Sequence, residues 1–332
     1  MTEQKVEQKE IPAGALEFAP QPGDYFAEVL REQGVDIAFG VHGGDLWFIV
    51  DPMSRAGIKI ITVHHEQTAV YAAEAYAKVT GKPGVVFVDT GPGSANIASA
   101  LQQAHLSCSP VVVISGGTIV GHERAYTIQP TNTEQMYSHI TKWTQRITYT
   151  HQVKRILTKA FKDCQTYPKG PIVVEFPLFA FIGPIPPPSL NTFFAQHSLY
   201  VDKWRGDETS APLPPTQGDP ATVEKIVRRI YEAKSPLIFA GDGVHWSRAS
   251  SELVEFAELA QVPCAGRRIA RGAIPEVHPL YFTSRIHAQA FAECDLLVLI
   301  GTKMGFFDGN FAAGWPKAIQ INESEDHIFT FV

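Results

Sequence analysis

The feature that most constrains the fold is a regular alternation of apolar, β-branched runs with helical patterns through the first half of the chain. The apolar runs predict strands at residues 35–39, 58–63, 85–89, 111–115 and 172–176. A helix is expected at 24–32, and helical patterns separate most of the strands. Because strands that alternate with helices are joined by crossovers, this order predicts a mostly parallel sheet covered on both faces.

A second α/β pattern begins near Thr222, after a proline-rich stretch. It comprises predicted helices at 223–233 and 250–261 and predicted strands at 237–240, 296–300 and 318–321. We interpret residues 185–220 as an interdomain linker and residues 1–20 as a polar, flexible lead segment. The chain is therefore predicted to be an α/β protein with two doubly wound parallel-sheet domains, at 21–184 and 221–332.

Charge and cysteine content narrow the possible classes of protein. The 332-residue chain has a net charge of -6 and no basic run, which argues against nucleic-acid binding. Its charged N-terminus has no apolar signal-peptide core, and no apolar stretch is long enough for a membrane span. The 4 cysteines are far apart and form no CxxC pair, so we expect a reducing, cytoplasmic location.

The junction His65-Glu66 joins a predicted strand to an alanine-rich helix that Gly81 is expected to end. A carboxylate at such a junction lies where open α/β sheets place their ligands, beyond the carboxyl ends of the strands. The simpler alternative is that Glu66 only favours the helix dipole.

Two further loops follow predicted strands and contain glycine. Gly91-Pro92-Gly93 permits a tight turn and close approach of a ligand, although a purely structural turn is an equal alternative. The spacing is neither GxGxxG nor a P-loop. The earlier loop at 39–48 places His42 and Asp45 at the same predicted edge, although both residues also suit turn capping and helix capping. Three such loops at one edge predict a site for a small-molecule ligand.

These motifs resemble the thiamine diphosphate enzymes of the acetolactate synthase, benzaldehyde lyase and cyclohexane-dione hydrolase group. The resemblance rests on FGVHGG at 39–44, HEQ at 65–67, AAEAYA at 72–77, GKPG at 81–84, TGPG at 90–93 with Asn96, GG at 116–117, and Gln129 thirteen residues before Lys142. The second half resembles the central domain of the same enzymes through FAGDG at 239–243, GAIP at 272–275 and LIG at 299–301.

The resemblance implies roles for particular residues. Glu66 is expected to hydrogen-bond the aminopyrimidine of thiamine diphosphate, which acts as the electron sink for C–C cleavage or formation. His42, Asp45 and Gln129 are expected near the reacting carbon, where they would handle substrate protons or oxygens. The remaining residues expected to contact this cofactor are Gly91, Pro92, Gly93 and Asn96. Related lyases have a further His where this chain has Asp45, so their substrates do not transfer directly.

Two departures from the family concern the pyrophosphate and its metal. The Gly241-Asp242-Gly243 motif has no Asn-Asn pair after it, so we expect no metal site on this chain. The third domain of the family, which binds pyrophosphate and Mg²⁺, is also missing from the resemblance. We therefore expect a separate subunit to supply it, in a heterotetramer. The alternative is a non-catalytic or regulatory subunit that retains the fold.

In the family the central domain binds FAD, ADP or CoA, and a flavoprotein is one expectation here. Candidate contacts are Gly241, Gly243, Arg267, Arg268 and Gly301. The arginines could pair with phosphates, although solvated surface arginines are an equal alternative. A nicotinamide oxidoreductase is disfavoured because GxGxxG with its acidic partner is lacking.

Overall fold

The computed structural model describes residues 22–44, 46–119, 129–148, 152–177, 217–303, 316–324 and 327–328. In this described part of the chain, no helix is long and apolar enough to cross a membrane. The N-terminal segment at 1–20 and most of the predicted linker, residues 185–216, lie outside the described residues. The predicted domain limits therefore stay predictions.

The first unit alternates helices and strands as the sequence predicts. Its elements are α1 (Pro22–Glu32), β1 (Ile37–Val41), α2 (Trp47–Arg55), β2 (Lys59–Thr62), α3 (Glu66–Thr80), β3 (Gly84–Val88), α4 (Pro92–Asn96), α5 (Ala98–Leu106), β4 (Val111–Gly117), α6 (Thr133–Tyr137), β5 (Trp143–Arg146), α7 (Val153–Gln165) and β6 (Ile172–Pro177). The six strands form one sheet in the order β2-β1-β3-β4-β6-β5, and every pairing is parallel. The predicted α/β class is confirmed.

Apolar side chains cover both faces of this first sheet. Successive residues of a strand point to opposite faces, and β3 follows that rule. Val85 and Phe87 pack into a core with α1, α2 and α7, whereas Val86 and Val88 pack into a second core with α3 and α5. Burial on both faces explains why the central strands are continuous apolar runs.

The second unit repeats the architecture on a smaller scale. Its elements are α8 (Pro220–Glu232), β7 (Pro236–Ala240), α9 (Asp242–Trp246), α10 (Ser250–Ala260), β8 (Cys264–Gly266), short 3-10 turns at Arg268–Ala270 and Ser284–Ile286, α11 (His287–Glu293), β9 (Leu296–Ile300) and β10 (Lys317–Ile321). The four strands lie in the order β10-β9-β7-β8, again all parallel. The helix α8 begins earlier than predicted, because Asp219 caps it by accepting a bond from Thr222 N at 2.9 Å.

Trp246, at the end of α9, joins the two units. Its indole Nε1 donates to the Ser107 carbonyl of the first unit at 3.0 Å, and its own carbonyl accepts from Tyr167 Oη at 2.6 Å. Trp246 also packs with Ala77 and Cys108 in a small buried cluster that spans both units. The units therefore share a packed, hydrogen-bonded junction.

Each sheet has a point at which the strand order changes direction. In the first sheet this point lies between β1 and β3, and in the second it lies between β7 and β9. The crevice beyond the carboxyl ends of the strands at such a point is where doubly wound folds bind ligands. Both points carry glycine-containing loops in this chain.

Candidate functional site

Glu66 opens α3 at the carboxyl edge of the first sheet. The preceding residue, His65, caps the helix, and its Nδ1 accepts a bond from Gln67 N at 3.2 Å. Glu66 is half-buried, and its Oε2 accepts a bond from Asn96 Nδ2 at 2.9 Å. The helix position thus places the carboxylate at this edge, and Asn96 fixes its orientation.

Gly93 leaves space beside the other carboxylate oxygen of Glu66. A Cβ at Gly93 would stand 3.4 Å from Glu66 Oε1 and 3.3 Å from the Asp89 Cβ. A larger side chain would therefore begin to fill the space next to Oε1. One oxygen of the Glu66 carboxylate is therefore held by Asn96, and the other lies beside a glycine. This arrangement fits the expected hydrogen-bond partner of an aminopyrimidine ring.

The loop after β1 contacts the loop after β3. Gly43 lies so close to the Asp89 carboxylate that a Cβ there would overlap it, so glycine at residue 43 leaves room for this carboxylate in its present position. His42 is exposed on the same loop. Asp45, predicted beside His42, lies outside the described residues. The structure thus places His42 near this edge, and the role of both residues stays a prediction.

Gln129 contacts the glycine loop from the far side. Gly91 has a φ of +64°, and a Cβ there would stand 2.5 Å from the Gln129 Cβ. Gln129 itself is exposed and has a positive φ of 50°. The backbones of the two residues therefore pack directly on each other, which brings Gln129 to the edge where the sequence predicted it. Pro92 is exposed on the same loop.

Buried polar side chains hold these loops in position. Tyr137 Oη donates to the Ser94 carbonyl in α4, and burial raises the pKa of this phenol. Glu175, buried in β6, accepts from Thr133 Oγ1 at the start of α6 and from Arg146 Nε at 2.5 Å. Burial also raises the pKa of the Glu175 carboxyl, which its two donors partly offset. These bonds anchor the segment that follows Gln129.

Lys142, one of the residues that carry the resemblance, has a structural role. Its Nζ donates to three carbonyls, those of Asp163 at 2.6 Å, Thr166 at 2.7 Å and Pro168 at 2.8 Å. Burial lowers the pKa of this ammonium group. The lysine thus ties the turn after α7 to β5, away from the Glu66 edge.

Two residues at the Glu66 edge were not predicted as site residues, although one of them, Thr90, belongs to the TGPG motif. Asp89 and Thr90 follow β3 directly, and they lie against Gly43 and Gly116 respectively. The Thr90 hydroxyl is buried, with no hydrogen-bond partner among the described residues. Polar residues placed immediately after an entirely apolar strand were the available signal for both.

The five predicted nucleotide contacts of the second unit line one pocket. The pocket lies at the second direction change, beyond β7 and β9, and its lining includes Gly241, Gly243, Arg267, Arg268 and Gly301. Arg268 Nη1 lies 3.5 Å from Asp242 Oδ2. Burial raises the pKa of the Asp242 carboxyl, and the arginine partly offsets that shift.

The glycines of this pocket are packed against protein. A Cβ at Gly243 would stand 2.6 Å from Glu323 Oε2 and 2.7 Å from the Gly301 Cα. Gly301 has a φ of +62°, and a Cβ there would in turn stand 2.7 Å from the Gly243 Cα. Contact between the two loops is therefore sufficient reason for glycine at both positions. Whether the pocket also takes a nucleotide stays a prediction.

Comparison with known proteins agrees with this geometry. The N-terminal TPP binding domain of thiamine pyrophosphate enzymes matches residues 21–138, and the central domain of these enzymes matches residues 223–330. The first match contains the Glu66 edge, and the second contains most of the second unit. The first match covers strands β1 to β4 of the first sheet and ends before β5 and β6, whereas the second match contains all four strands of the second sheet.

Curated relatives include enzymes of several types. A probable acetolactate synthase of Mycobacterium bovis is 29% identical over 296 residues, 88% of this chain and 51% of the relative. A sulfoacetaldehyde acetyltransferase of Alcaligenes xylosoxydans xylosoxydans is 29% identical over 320 residues, 92% of this chain and 49% of the relative. The human 2-hydroxyacyl-CoA lyase 2 is 28% identical over 329 residues, 92% of this chain and 52% of the relative. The chain spans about half the length of these relatives, and it belongs to the thiamine pyrophosphate enzyme family, with an N-terminal TPP binding domain and a central domain.

Proposed function

We propose that this chain is a subunit of a thiamine diphosphate-dependent lyase, synthase or decarboxylase, in which Glu66 contacts the aminopyrimidine. The observation that carries the proposal is the carboxylate at the start of α3, with Oε2 bonded to Asn96 at 2.9 Å and Oε1 beside Gly93. When bound, thiamine diphosphate supplies an electron sink for making or breaking a C–C bond next to a carbonyl.

Glu66 acts through a hydrogen bond and a shared proton. Its Oε1 faces the space that Gly93 leaves, where it would hold a proton between itself and a ring nitrogen. Asn96 orients the carboxylate, and Gly91-Pro92-Gly93 lets a flat ring approach the backbone. A positioned proton-transfer group of this kind contributes about 10²- to 10⁴-fold to a reaction rate.

The substrate side of the site consists of His42, Asp45 and Gln129. His42 and Gln129 are exposed at the same edge, where they would donate to or accept from substrate oxygens. We propose a 2-keto acid, diketone or 2-hydroxyacyl compound as the substrate class, and the name of one relative, 2-hydroxyacyl-CoA lyase 2, supports the last of these. The imidazole of His42 and the amide of Gln129 can each donate and accept hydrogen bonds, which suits handling of a carbonyl or hydroxyl oxygen.

The pyrophosphate and Mg²⁺ are assigned to a separate subunit. Gly241-Asp242-Gly243 has no Asn-Asn pair after it in the sequence, and Gly243 packs against Glu323 and Gly301. We place those residues on a thiamine pyrophosphate-domain chain, in a heterotetramer with two copies of each subunit. Size-exclusion chromatography of the co-expressed chains tests this arrangement: a complex of both chains is expected, and full activity of this chain alone would refute it.

Substitution of Glu66 tests the catalytic proposal. The wild-type chain and Glu66→Gln are each combined with the thiamine pyrophosphate-domain subunit, thiamine diphosphate and Mg²⁺, and consumption of pyruvate or a 2-hydroxyacyl-CoA is followed. We expect turnover of the Glu66→Gln complex to fall by about 10²-fold or more. Glu74→Gln on the same helix is the control, since Glu74 is buried and bonded to Lys78 and Ser109.

The second candidate function is a non-catalytic or regulatory subunit with the same fold. The central pocket, with two arginines and Lys303 in its lining, is the observation that favours a regulatory nucleotide. In that case Glu66→Gln leaves turnover of the complex unchanged. Denaturing the purified protein and measuring the absorbance of released small molecules distinguishes FAD from ADP or CoA in this pocket.

A further inference from the structure

Three potential metal ligands meet where the two units join. Cys108 Sγ, a carboxylate oxygen of Glu323 and an imidazole nitrogen of His327 all lie within 4.8 Å of one another. Cys108 belongs to the turn between α5 and β4 in the first unit, whereas Glu323 and His327 follow β10 in the second. The group is separate from the Glu66 edge, but it lines the same pocket as Gly243 and Arg268, where a nucleotide is the competing occupant.

Each of the three side chains is held in place by the fold. Cys108 is buried in a left-handed backbone conformation, with a φ of 51°. Glu323 Oε2 lies over Gly243, where a Cβ would stand only 2.6 Å away. The carbonyl of His327 accepts from Gln320 Nε2 at 2.5 Å and from Asn322 Nδ2 at 3.2 Å.

His327 provides independent evidence for a missing partner. The residue is only 8% exposed, and its Nδ1 has no hydrogen-bond partner among the described residues. The nearest carboxylate oxygen, Glu323 Oε1, is 3.5 Å away, an ion-pair distance at which no hydrogen bond is formed. Buried polar nitrogens in native proteins nearly always have a partner, so this nitrogen points toward a ligand in the cluster.

We propose that Cys108, Glu323 and His327 bind a divalent transition metal of the zinc class, which joins the two units. A thiolate, an imidazole and a carboxylate are the ligand types that zinc prefers, with a fourth position left for water. Around a tetrahedral metal with bonds of about 2.0–2.3 Å, the ligand atoms are about 3.5 Å apart. The three ligand atoms here lie within 4.8 Å of one another, so side-chain movements of about 1 Å would bring them to bonding distance. This inference departs from the sequence-based expectation of no metal on this chain.

Lys303 is the charged group nearest to the sulfur. Its Nζ donates to Cys108 Sγ at 3.3 Å, which favours the thiolate. A cysteine thiol loses its proton when it binds a divalent metal, so the bound sulfur would be the thiolate that Lys303 contacts. Two anionic ligands offset the metal charge, and Lys303 remains as a hydrogen-bond donor to the bound thiolate.

A metal at this position would stabilise the junction between the units. Its ligands come from both sides of the contact that Trp246 makes with Ser107, and unfolding of either unit would remove at least one of them. The binding free energy therefore adds to the stability of the whole chain.

The full chain, prepared in metal-free buffer, is titrated with ZnCl₂, and bound zinc is measured by elemental analysis. We expect about one zinc per chain, a higher thermal unfolding midpoint and, with Co²⁺ as the probe, a thiolate-to-cobalt absorption band. Cys108→Ser should weaken zinc binding by about 100-fold or more, since loss of outer partners alone costs 10- to 100-fold.

Matched variants keep the test decisive. Cys264→Ser changes another buried free thiol, and His278→Gln changes a histidine paired with Glu258, so both should bind zinc as the wild type does. His327→Gln replaces Cys108→Ser if that variant fails to fold. Absence of stoichiometric zinc, equal zinc binding by Cys108→Ser and Cys264→Ser, or a pocket that holds a nucleotide and no metal would each overturn the proposal. None of these results bears on the role of Glu66.

Discussion

The two sheets place glycine loops at equivalent points and use them differently. Beyond β1 and β3, Gly93 leaves space next to the Glu66 carboxylate, and exposed His42 and Gln129 lie at the same edge. Beyond β7 and β9, Gly243 and Gly301 pack against each other. A Cβ on either residue would stand only 2.7 Å from the Cα of the other. The first edge keeps polar groups exposed around Gly93, although its Gly43 and Gly91 also pack against neighbouring loops, whereas at the second edge both glycines close on each other.

A glycine that follows a strand has two distinct structural explanations. One is room for a ligand, and the other is room for a neighbouring loop of the same protein. Sequence alone cannot separate them, because both produce the same glycine-rich signal. The atoms that a Cβ on each glycine would meet distinguish the two explanations. Substitutions at matched glycines measure the resulting difference in stability.

The largest stability effect is expected at the closed loops. Gly243→Ala places a Cβ 2.6 Å from Glu323 Oε2 and 2.7 Å from the Gly301 Cα, which should cost about 1–3 kcal/mol of unfolding free energy. Gly44→Ala, in the first unit, places a Cβ with no described atom within 4 Å, and its stability should change by less than about 0.5 kcal/mol. Urea denaturation of both variants measures the difference, and equal midpoints would remove the distinction.

A smaller effect, on activity rather than stability, is expected at the open edge. Asn96→Ala removes the bond that orients the Glu66 carboxylate, and turnover of the reconstituted complex should fall about tenfold. Gln103→Ala is the control, because the Gln103 side-chain amide donates a hydrogen bond of the same 2.9 Å length to Ser107 Oγ, away from this edge. Unchanged turnover in Asn96→Ala would mean that Glu66 is oriented by other contacts.

The smallest effect is expected at the opposite edge of the first sheet, where the strands begin. Burial, together with a 2.7 Å bond to Asp36, raises the pKa of Tyr76 to about 12. Since an unfolded tyrosine has a pKa of about 10, the stability from Tyr76 is present below pH 10 and is lost as the pH rises toward about 12. In Tyr76→Phe, the urea midpoint should fall less steeply as the pH rises from 10 to about 12. Tyr231→Phe is the control, because Tyr231 is 81% exposed and its substitution should leave the pH dependence of the midpoint unchanged.

Much of the fold could be predicted because the central strands are buried on both faces. Strand β3 and the first four residues of β4 are continuous apolar runs, β6 is apolar apart from Glu175, and the structure has all three strands within two residues of the predicted limits. The strands β5 and β8 were missed. Strand β5 is a half-buried edge strand with the sequence WTQR, and β8 has only three residues, so neither presents an apolar run.

The open edge was more predictable than the junction. Glu66, Gly91 and His42 each follow a strand, and parallel strands bring their ends to one edge. Cys108 and His327, in contrast, come together only because two separate units pack against each other. No periodicity or local spacing encodes such a contact, so sequence reasoning had no signal for it.

The indole of Trp246 has a consequence for how the chain responds to force or heat. Its N–H is hidden in the Ser107 bond only while the two units stay docked, so its exchange with deuterated solvent measures their separation. Slow exchange of this proton would indicate that the two units unfold together as one cooperative unit. The Glu66 edge would then be stabilised by the packing of its unit against the second unit.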